Sequence, residues 1–182
     1  ATRYKNIYFI GIGGIGMSAI ARYFKFKGLK VTGYDKTESE LTDALQKEGI
    51  DVHYEDNTDF IPKDVENTLV VYTPAIPHDM GELVYVQEHG YKVLKRSKIL
   101  GEITDGGVAS LFREHGKTTT STLTAHILKE SGEGCSAFLG GISKNYDTNL
   151  LMSHTDTVVV EADEFDRSFL QLHPEIAVIT AK

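Results

Sequence analysis

The sequence predicts an α/β fold, with a doubly wound parallel sheet followed by a second α/β unit. Two observations predict this class. Short apolar runs alternate with helical segments along the chain, as they do in βαβ units. Glycine-containing turns at 11–16 and near 116 each precede a helical segment, which is where parallel-sheet proteins place their phosphate-binding loops.

In the first half of the chain, strand and helix patterns alternate without interruption. The run "TLVVYT" at Thr68–Thr73 is typical of a strand buried on both faces of a parallel sheet. Two helical segments stop at Gly28 and Gly49, because glycine readily adopts the left-handed conformation that ends a helix. The predicted strands are Asn6–Gly11, Lys30–Tyr34, Ile50–Tyr54, Thr68–Thr73 and Tyr91–Leu94, and the predicted helices are Ile15–Lys27, Ser39–Glu48, Gly81–His89 and Ser97–Thr104.

The stretch "TDGG" at Thr104–Gly107 predicts a domain boundary, with a first domain over 1–105 and a second over 106–182. The alternation of strands and helices restarts after it. The predicted elements are a strand at 108–112, a helix at Lys117–Lys129 and strands at Thr157–Asp163 and Ile176–Thr180. Only two residues follow the last strand, so the second unit is expected to be incomplete.

Composition is that of a soluble globular protein and argues against nucleic-acid binding. Hydrophobic residues make up 41% of the 182 residues, and the formal net charge is -7, whereas a nucleic-acid-binding surface is basic. The single cysteine, Cys135, is expected to be a small buried residue. We find no signal peptide and no bilayer-spanning apolar run, so we expect a cytoplasmic protein without membrane contacts, monomeric or weakly dimeric.

The first glycine turn has the pattern G-x-G-x-x-G, with Gly11, Gly13 and Gly16 between a predicted strand and a predicted helix. In this pattern the first glycine permits the tight turn, the second lets a ligand approach the backbone, and the third lets helix and strand pack closely. Asp35 follows the second strand, where a carboxylate accepts hydrogen bonds from a ribose or a base. These residues predict a Rossmann-like diphosphate site, and NAD, FAD and UDP-sugars all satisfy it.

A second phosphate signal, "HGKTTTST", opens the helix predicted after 116. Gly116, Lys117 and Thr118 form the core of a P-loop, in which the lysine reaches the β- and γ-phosphates and the threonine hydroxyl binds Mg²⁺. His115 and Thr119 flank this core and are candidates for contacts with the nucleotide. Glu161 ends a buried apolar strand, where nucleotide hydrolases place an Mg²⁺-binding carboxylate.

Taken together, these motifs resemble those of the Mur ligases. The resemblance covers nearly the whole chain and is carried by the stretches "FIGIGGIGMSAIA", "TPAIP", "KRSKILGEI", "HGKTTTSTLTAHIL", "FLGGISKNYDTN" and "VVVEADEFDRSF". It implies an ATP-dependent, amide-forming ligase of peptidoglycan synthesis, whose domains bind a UDP-linked substrate, Mg²⁺-ATP and an amino acid. The likeness is strongest to the branch that joins L-alanine to UDP-N-acetylmuramate.

The resemblance also implies roles for individual residues. Lys117 and Glu161 would be catalytic, and Thr118 and Glu161 would hold Mg²⁺. The residues implied for ATP are His115, Gly116, Lys117, Thr118 and Thr119, and those implied for the UDP-sugar are Gly11, Gly13, Gly14, Ile15, Gly16, Asp35, Arg96, Ser97 and Asn149. Arg96 and Ser97 would lie near the diphosphate-sugar end, and Asn149 near the muramate.

Three alternatives remain open from the sequence. A related ligase adds recycled peptide to UDP-N-acetylmuramate and shares these motifs. An NAD-dependent oxidoreductase would explain the first glycine turn, although it has no use for "GKTTT". A module that binds UDP without catalysis is the third.

Two features depart from the family pattern. The family's P-loop is close to A-G-T-H-G-K-T, whereas this chain has Arg113 and Glu114 in place of the glycine and the first threonine. A bulky side chain and a negative charge beside the phosphates predict weakened or absent ATP binding. The chain is also less than half as long as family members, so we expect no ligase activity from this polypeptide alone.

Overall fold

The computed structural model describes residues 3–104, 116–161, 172 and 176–178. The chain divides into two compact units, Ala1–Arg96 and Ser97–Lys182. The strand predicted at 108–112 lies outside the described residues, as do His115, Arg113 and Glu114. None of the helices in the described ranges is long and apolar enough to cross a membrane.

The first unit is the predicted parallel sheet, flanked by helices. Its elements are β1 (Asn6–Ile10), α1 (Ile15–Phe26), β2 (Lys30–Tyr34), α2 (Glu40–Lys47), β3 (Asp51–His53), β4 (Thr68–Tyr72), α3 (Gly81–Glu88) and β5 (Lys92–Lys95). The strands run in the order β3-β2-β1-β4-β5, and all pair in parallel. The α/β fold class predicted from the sequence is therefore confirmed, and the observed bounds of these elements lie within two residues of the predicted ones.

Burial explains why this sheet forms. The central strand β1 is apolar on both faces, and the side chains of Ile7, Phe9 and Ile10 are inaccessible to solvent.

Helix α2 starts in a capping box, in which Ser39 Oγ accepts from the Thr42 amide and Thr42 Oγ1 accepts from the Ser39 amide.

The second unit contains helices and a small mixed sheet. Its described elements are α4 (Arg96–Thr104), which begins at the last residue of the first unit, α5 (Lys117–Glu130), β6 (Ser136–Ser143), β7 (Thr148–Leu151) and β8 (Val158–Val160). Strand β6 pairs in parallel with β8 and antiparallel with β7, with an irregular register between Phe138 and Ser143. Ala125, Cys135, Leu139 and Val159 form part of its apolar core, so Cys135 is buried as expected.

One sequence expectation in this unit was wrong, and two strands lie where the sequence predicts no element. These are β6 and β7, between residues 136 and 151. The strand predicted at Ile176–Thr180 is absent over 176–178, and residues 179 and 180 lie outside the described part. Ile176 is 57% exposed, which explains the difference, because the prediction assumed a strand covered on both faces.

Candidate functional site

The turn between β1 and α1 is held against the end of β2 by the backbone. The amides of Gly11 and Ile12 both donate to the carbonyl of Tyr34, over 2.8 and 2.9 Å. Gly11 has a φ of 90°, which a side-chain-bearing residue rarely adopts. A Cβ at this position would also lie 2.6 Å from Cγ2 of Thr73, so the first glycine is required by the turn and by its neighbour.

The second glycine is required by a carboxylate of the protein. The amide of Gly13 donates to Oδ2 of Asp35 over 2.7 Å, and a Cβ at Gly13 would lie 2.8 Å from the same oxygen. The amide of Thr37 donates to Oδ1 of Asp35 over 3.1 Å. Two backbone amides thus fix the carboxylate of Asp35 beside the turn, and its remaining lone pairs can accept from a ligand.

The third glycine makes room for an arginine. A Cβ at Gly16 would lie 2.5 Å from Nη1 of Arg96, so the guanidinium lies against the first turn of α1. The glycine pattern predicts that Gly16 serves helix–strand packing, whereas the structure places Arg96 where its side chain would lie. Because no side chain caps α1 at Gly14, the positive end of the helix dipole and the guanidinium charge lie together, an arrangement that favours a bound anion.

A pocket of about 740 Å³ opens beside this turn, a volume typical of small-molecule sites. Its lining comes from the loops that follow β1, β2, β3 and β4. The lining residues are Gly11, Gly13, Gly14, Tyr34, Asp35, Lys36, Thr37, Ser39, Asp56, Thr73, Ala75, Ile76, Pro77, Asp79 and Met80. The carboxylates and hydroxyls among them can form hydrogen bonds with the hydroxyls and N–H groups of a nucleoside.

The second unit holds a separate polar cluster at the start of α5. Gly116 precedes the helix with a φ of 86°, and Lys117 is its first residue. The hydroxyl of Thr118 donates to Oε1 of Glu161 over 3.0 Å. The predicted metal-binding residues therefore lie side by side, although 43 positions separate them in the chain.

Two further residues, which are not among the predicted site residues, contact Glu161. The amide of Gly140, on β6, donates to Oε2 of Glu161 over 2.9 Å, and the hydroxyl of Ser121 lies 3.4 Å from the same oxygen. A Cβ at Gly140 would lie 2.5 Å from the carboxyl group of Glu161. The sequence signal for Gly140 is the glycine pair within "FLGGIS", part of one of the stretches that carry the family resemblance.

The oxygen donors of Thr118 and Glu161 suit Mg²⁺, which commonly takes one or two protein oxygens and leaves its other positions to water and phosphates. Within the described residues, no group of three His, Cys, Asp or Glu side chains gathers as a metal site. Among the described side chains, those of Thr118 and Glu161 would supply oxygens to a metal at this cluster.

The remaining predicted site residues occupy different surroundings. Thr119 is exposed on α5, and Ser97 lies on α4 in the second unit. Asn149 lies on β7 and is completely buried, so it lies inside the second unit rather than on its surface. Its predicted contact with the muramate stays a prediction. His115 cannot be placed, because it lies outside the described residues.

Comparison with known proteins decides the family. Residues 6–107, more than half of the chain, match the Mur ligase family, catalytic domain. The chain belongs to the Mur ligase family. Its match covers the glycine turn, Asp35 and Arg96, and ends before the start of α5.

Two relatives are named UDP-N-acetylmuramate–L-alanine ligase. The protein of Porphyromonas gingivalis (strain W83) is 59% identical over 182 residues, and that of Phocaeicola vulgatus is 57% identical over 182 residues. Each match covers 97% of this chain and 40% of the relative. The chain thus spans about two fifths of the length of these Mur ligases.

Solved structures agree with this assignment. The crystal structure of UDP-N-acetylmuramate–alanine ligase from Thermotoga maritima matches with a TM-score of 0.88 at 31% identity, over 96% of this chain and 41% of that one. A Neisseria ligase, named for UDP-N-acetylmuramate and L-alanyl-γ-D-glutamyl-meso-diaminopimelate, matches with a TM-score of 0.86 at 24% identity, over 97% of this chain and 60% of that one. The second likeness shows the shared fold alone.

Proposed function

We propose that this chain is the substrate-nucleotide-binding part, with a portion of the ATP-binding part, of an ATP-dependent ligase that joins L-alanine to UDP-N-acetylmuramate in peptidoglycan synthesis. The observation that carries the proposal is the 59% identity to a ligase of that name across 97% of this chain. Enzymes of the Mur ligase family are ATP-dependent ligases.

In this proposal the pocket of the first unit binds the UDP of UDP-N-acetylmuramate. The diphosphate lies at the start of α1, where Gly14, Ile15 and Gly16 offer backbone amides and Arg96 offers a positive charge. Asp35, fixed by two amides, accepts from the uridine. Nothing in this arrangement calls for a nicotinamide.

The cluster at the start of α5 is proposed to hold the phosphates of ATP, together with Mg²⁺. Lys117, at the first position of the helix, would reach the terminal phosphates, and the Thr118–Glu161 pair would supply oxygen ligands to the metal. Bound Mg²⁺ would neutralise developing negative charge on the phosphates. The amide of Gly140 holds Oε2 of Glu161, which leaves Oε1 beside the Thr118 hydroxyl.

The proposed reaction has two steps. The carboxylate of UDP-N-acetylmuramate attacks the γ-phosphorus of ATP, the bond to the ADP oxygen breaks, and an acyl phosphate forms. The amine of L-alanine then attacks the acyl carbon and loses a proton, and inorganic phosphate leaves as the amide forms. The residues of this chain would position the two substrates and neutralise charge.

Calorimetry with four ligands tests the proposal: UDP-N-acetylmuramate, UDP, NADH and Mg²⁺-ATP. We expect both uridine ligands to bind and NADH not to bind. Binding of NADH alone would refute the assignment. Mg²⁺-ATP is expected to bind weakly or not at all, because Arg113 and Glu114 replace the glycine and threonine of the family's P-loop. Micromolar affinity for Mg²⁺-ATP would contradict that expectation.

A further inference from the structure

A buried polar cluster lies in the first unit, apart from the glycine turn. It joins Tyr8 on β1, His53 at the end of β3 and Glu82 at the second position of α3. The hydroxyl of Tyr8 donates to Oε2 of Glu82 over 2.6 Å, and Nε2 of His53 lies 2.9 Å from Oε1. The side chain of Glu82 is completely inaccessible to solvent.

Hydrogen-bond chemistry fixes the roles within this cluster. Where the carboxylate of Glu82 is ionised it can only accept, and His53 then donates to it from Nε2. The amide of Asn57 also donates to Oε1 of Glu82, over 3.0 Å. Three donors from three parts of the chain therefore converge on one buried carboxylate, which compensates the loss of its hydration.

Two further hydrogen bonds connect this cluster to the nucleotide pocket. The carboxylate of Asp56, which lines the pocket, accepts from the amides of Gly81 and Glu82, each over 2.8 Å. Met80, another lining residue, directly precedes these two amides. Glu82 therefore joins the loop after β3 to the start of α3 twice. Its side chain accepts from Asn57, and its amide donates to Asp56.

The cluster also reaches a second wall of the pocket, which includes Asp35 and the glycine turn. The carbonyl of His53 accepts from the amide of Asp35 over 3.1 Å. Asp35 in turn accepts from the amide of Gly13. Glu82, His53, Asp35 and Gly13 are therefore linked one to the next by hydrogen bonds, made by the side chain of one residue or the backbone of another.

We propose that Glu82 is a positioning residue for the nucleoside-diphosphate pocket, acting through Asn57, Asp56 and His53 to hold the two pocket walls at a fixed separation. This inference rests on the proposed binding of UDP by the first unit. Glu82 itself does not line the pocket and would not touch the nucleotide.

The substitution Glu82→Gln tests the inference, because it keeps the side-chain shape and removes the charge. The amide nitrogen of glutamine can no longer accept from Tyr8, and the bonds to His53 and Asn57 lose their ionic character. We expect affinity for UDP, measured by calorimetry, to fall about tenfold or more, and exchange of the Asn57 amide hydrogen in the ligand-free protein to accelerate by a similar factor.

A matched control separates positioning from general stability. Val86 lies one turn along the same helix, is fully buried and belongs to the apolar core of the first unit. Val86→Ala should lower the unfolding temperature while leaving both the affinity for UDP and the protection of the Asn57 amide unchanged. If Glu82→Gln does not fold, Tyr8→Phe, which removes a single donor, should show the same two effects at smaller size.

The two measurements, amide exchange and affinity for UDP, distinguish failure of this inference from failure of the proposed function. Unchanged exchange at Asn57 in Glu82→Gln would overturn the inference whatever the ligand result. Accelerated exchange with unchanged affinity for UDP would overturn it as well, because the wall would then move without affecting binding. Failure of the unsubstituted protein to bind UDP would refute the proposed function, while the exchange rates would still show whether Glu82 holds this wall.

Discussion

The need for a glycine at position 16 is explained by Arg96, which lies 80 positions away in the sequence. The sequence pattern explains the third glycine by helix–strand packing, yet the group that a Cβ would meet is the guanidinium of Arg96. Arginine is suited to a diphosphate because its fixed donors match two phosphate oxygens at once. The glycine therefore serves the proposed ligand indirectly, by admitting the charged group that would hold it.

Gly16→Ala is predicted to weaken UDP binding about tenfold or more, because the new methyl group displaces Arg96 and its charge-assisted contact with the diphosphate. Affinity for uridine, which lacks the phosphates, should not change. Calorimetry with the two ligands measures the difference. Equal losses for UDP and uridine would contradict the prediction.

Tyr8 is predicted to make the first unit unstable in alkali. Burial, and then the hydrogen bond to Glu82, raise the pKa of Tyr8 far above its ordinary value of 10.0. The stabilising effect of the protonated hydroxyl is complete below pH about 10, where the unfolded chain is also protonated. Above that pH the unfolded state loses the proton and the folded state keeps it, so stability falls by about 1.4 kcal/mol per pH unit.

Urea unfolding between pH 9 and pH 11 measures this effect. Tyr8→Phe should show a shallower dependence on pH than the unsubstituted protein, by about the contribution of one tyrosine. Tyr34 and Tyr91, whose pKa values are also raised by burial, are expected to leave a residual slope in both proteins. Identical slopes would show that Tyr8 ionises in the folded state.

The positions of the functional glycines could be predicted from the sequence, but the reasons for them could not. A spacing pattern shows which residues lack a side chain, whereas the neighbour that demands this is distant in the chain. Asp35 is the neighbour for Gly13, and Arg96 for Gly16. The pattern likewise could not reveal Glu82, since a single glutamate at the start of a helix is common and nothing local shows its burial.

Among the elements, β6 and β7 show where periodicity fails. In β6 a short apolar run is followed directly by Gly140 and Gly141, within the irregular part of its pairing with β7. The first-unit strands pair in regular register, even where β2 contains Gly33, and they were predicted closely. Gly140 lies in this irregular part of β6 and contacts Glu161. The glycine that makes the strand hard to predict is therefore also the residue that contacts the candidate metal ligand.

Gly140→Ala is predicted to destabilise the second unit by about 1–3 kcal/mol, because the methyl group would overlap the carboxyl group of Glu161 and displace it from the Thr118 hydroxyl. The neighbouring Gly141→Ala is the control, since its Cβ would meet Cγ2 of Thr118 at an ordinary 3.5 Å. Urea unfolding of the two variants measures the difference. Equal stability would show that Glu161 moves aside without cost.

For the whole molecule, the division into two units makes a direct prediction. The pocket is lined only by residues between Gly11 and Met80, all within the first unit. A shortened chain of residues 1–105, the first domain predicted from the sequence, should therefore fold and bind UDP as tightly as the full chain. Circular dichroism and calorimetry test this. An unfolded product, or affinity lost on shortening, would contradict it.

The order of strands in the first sheet bears on how such proteins diversify. Strand β1 lies in the middle, and successive strands are added first on one side, through β2 and β3, and then on the other, through β4 and β5. Every residue that lines the pocket lies at a strand's carboxyl end or in the segment that follows, and the apolar strand interiors contribute none. Mutation could therefore change which nucleotide is accepted without disturbing the sheet, so descendants of one ancestral scaffold can acquire new ligands by small steps.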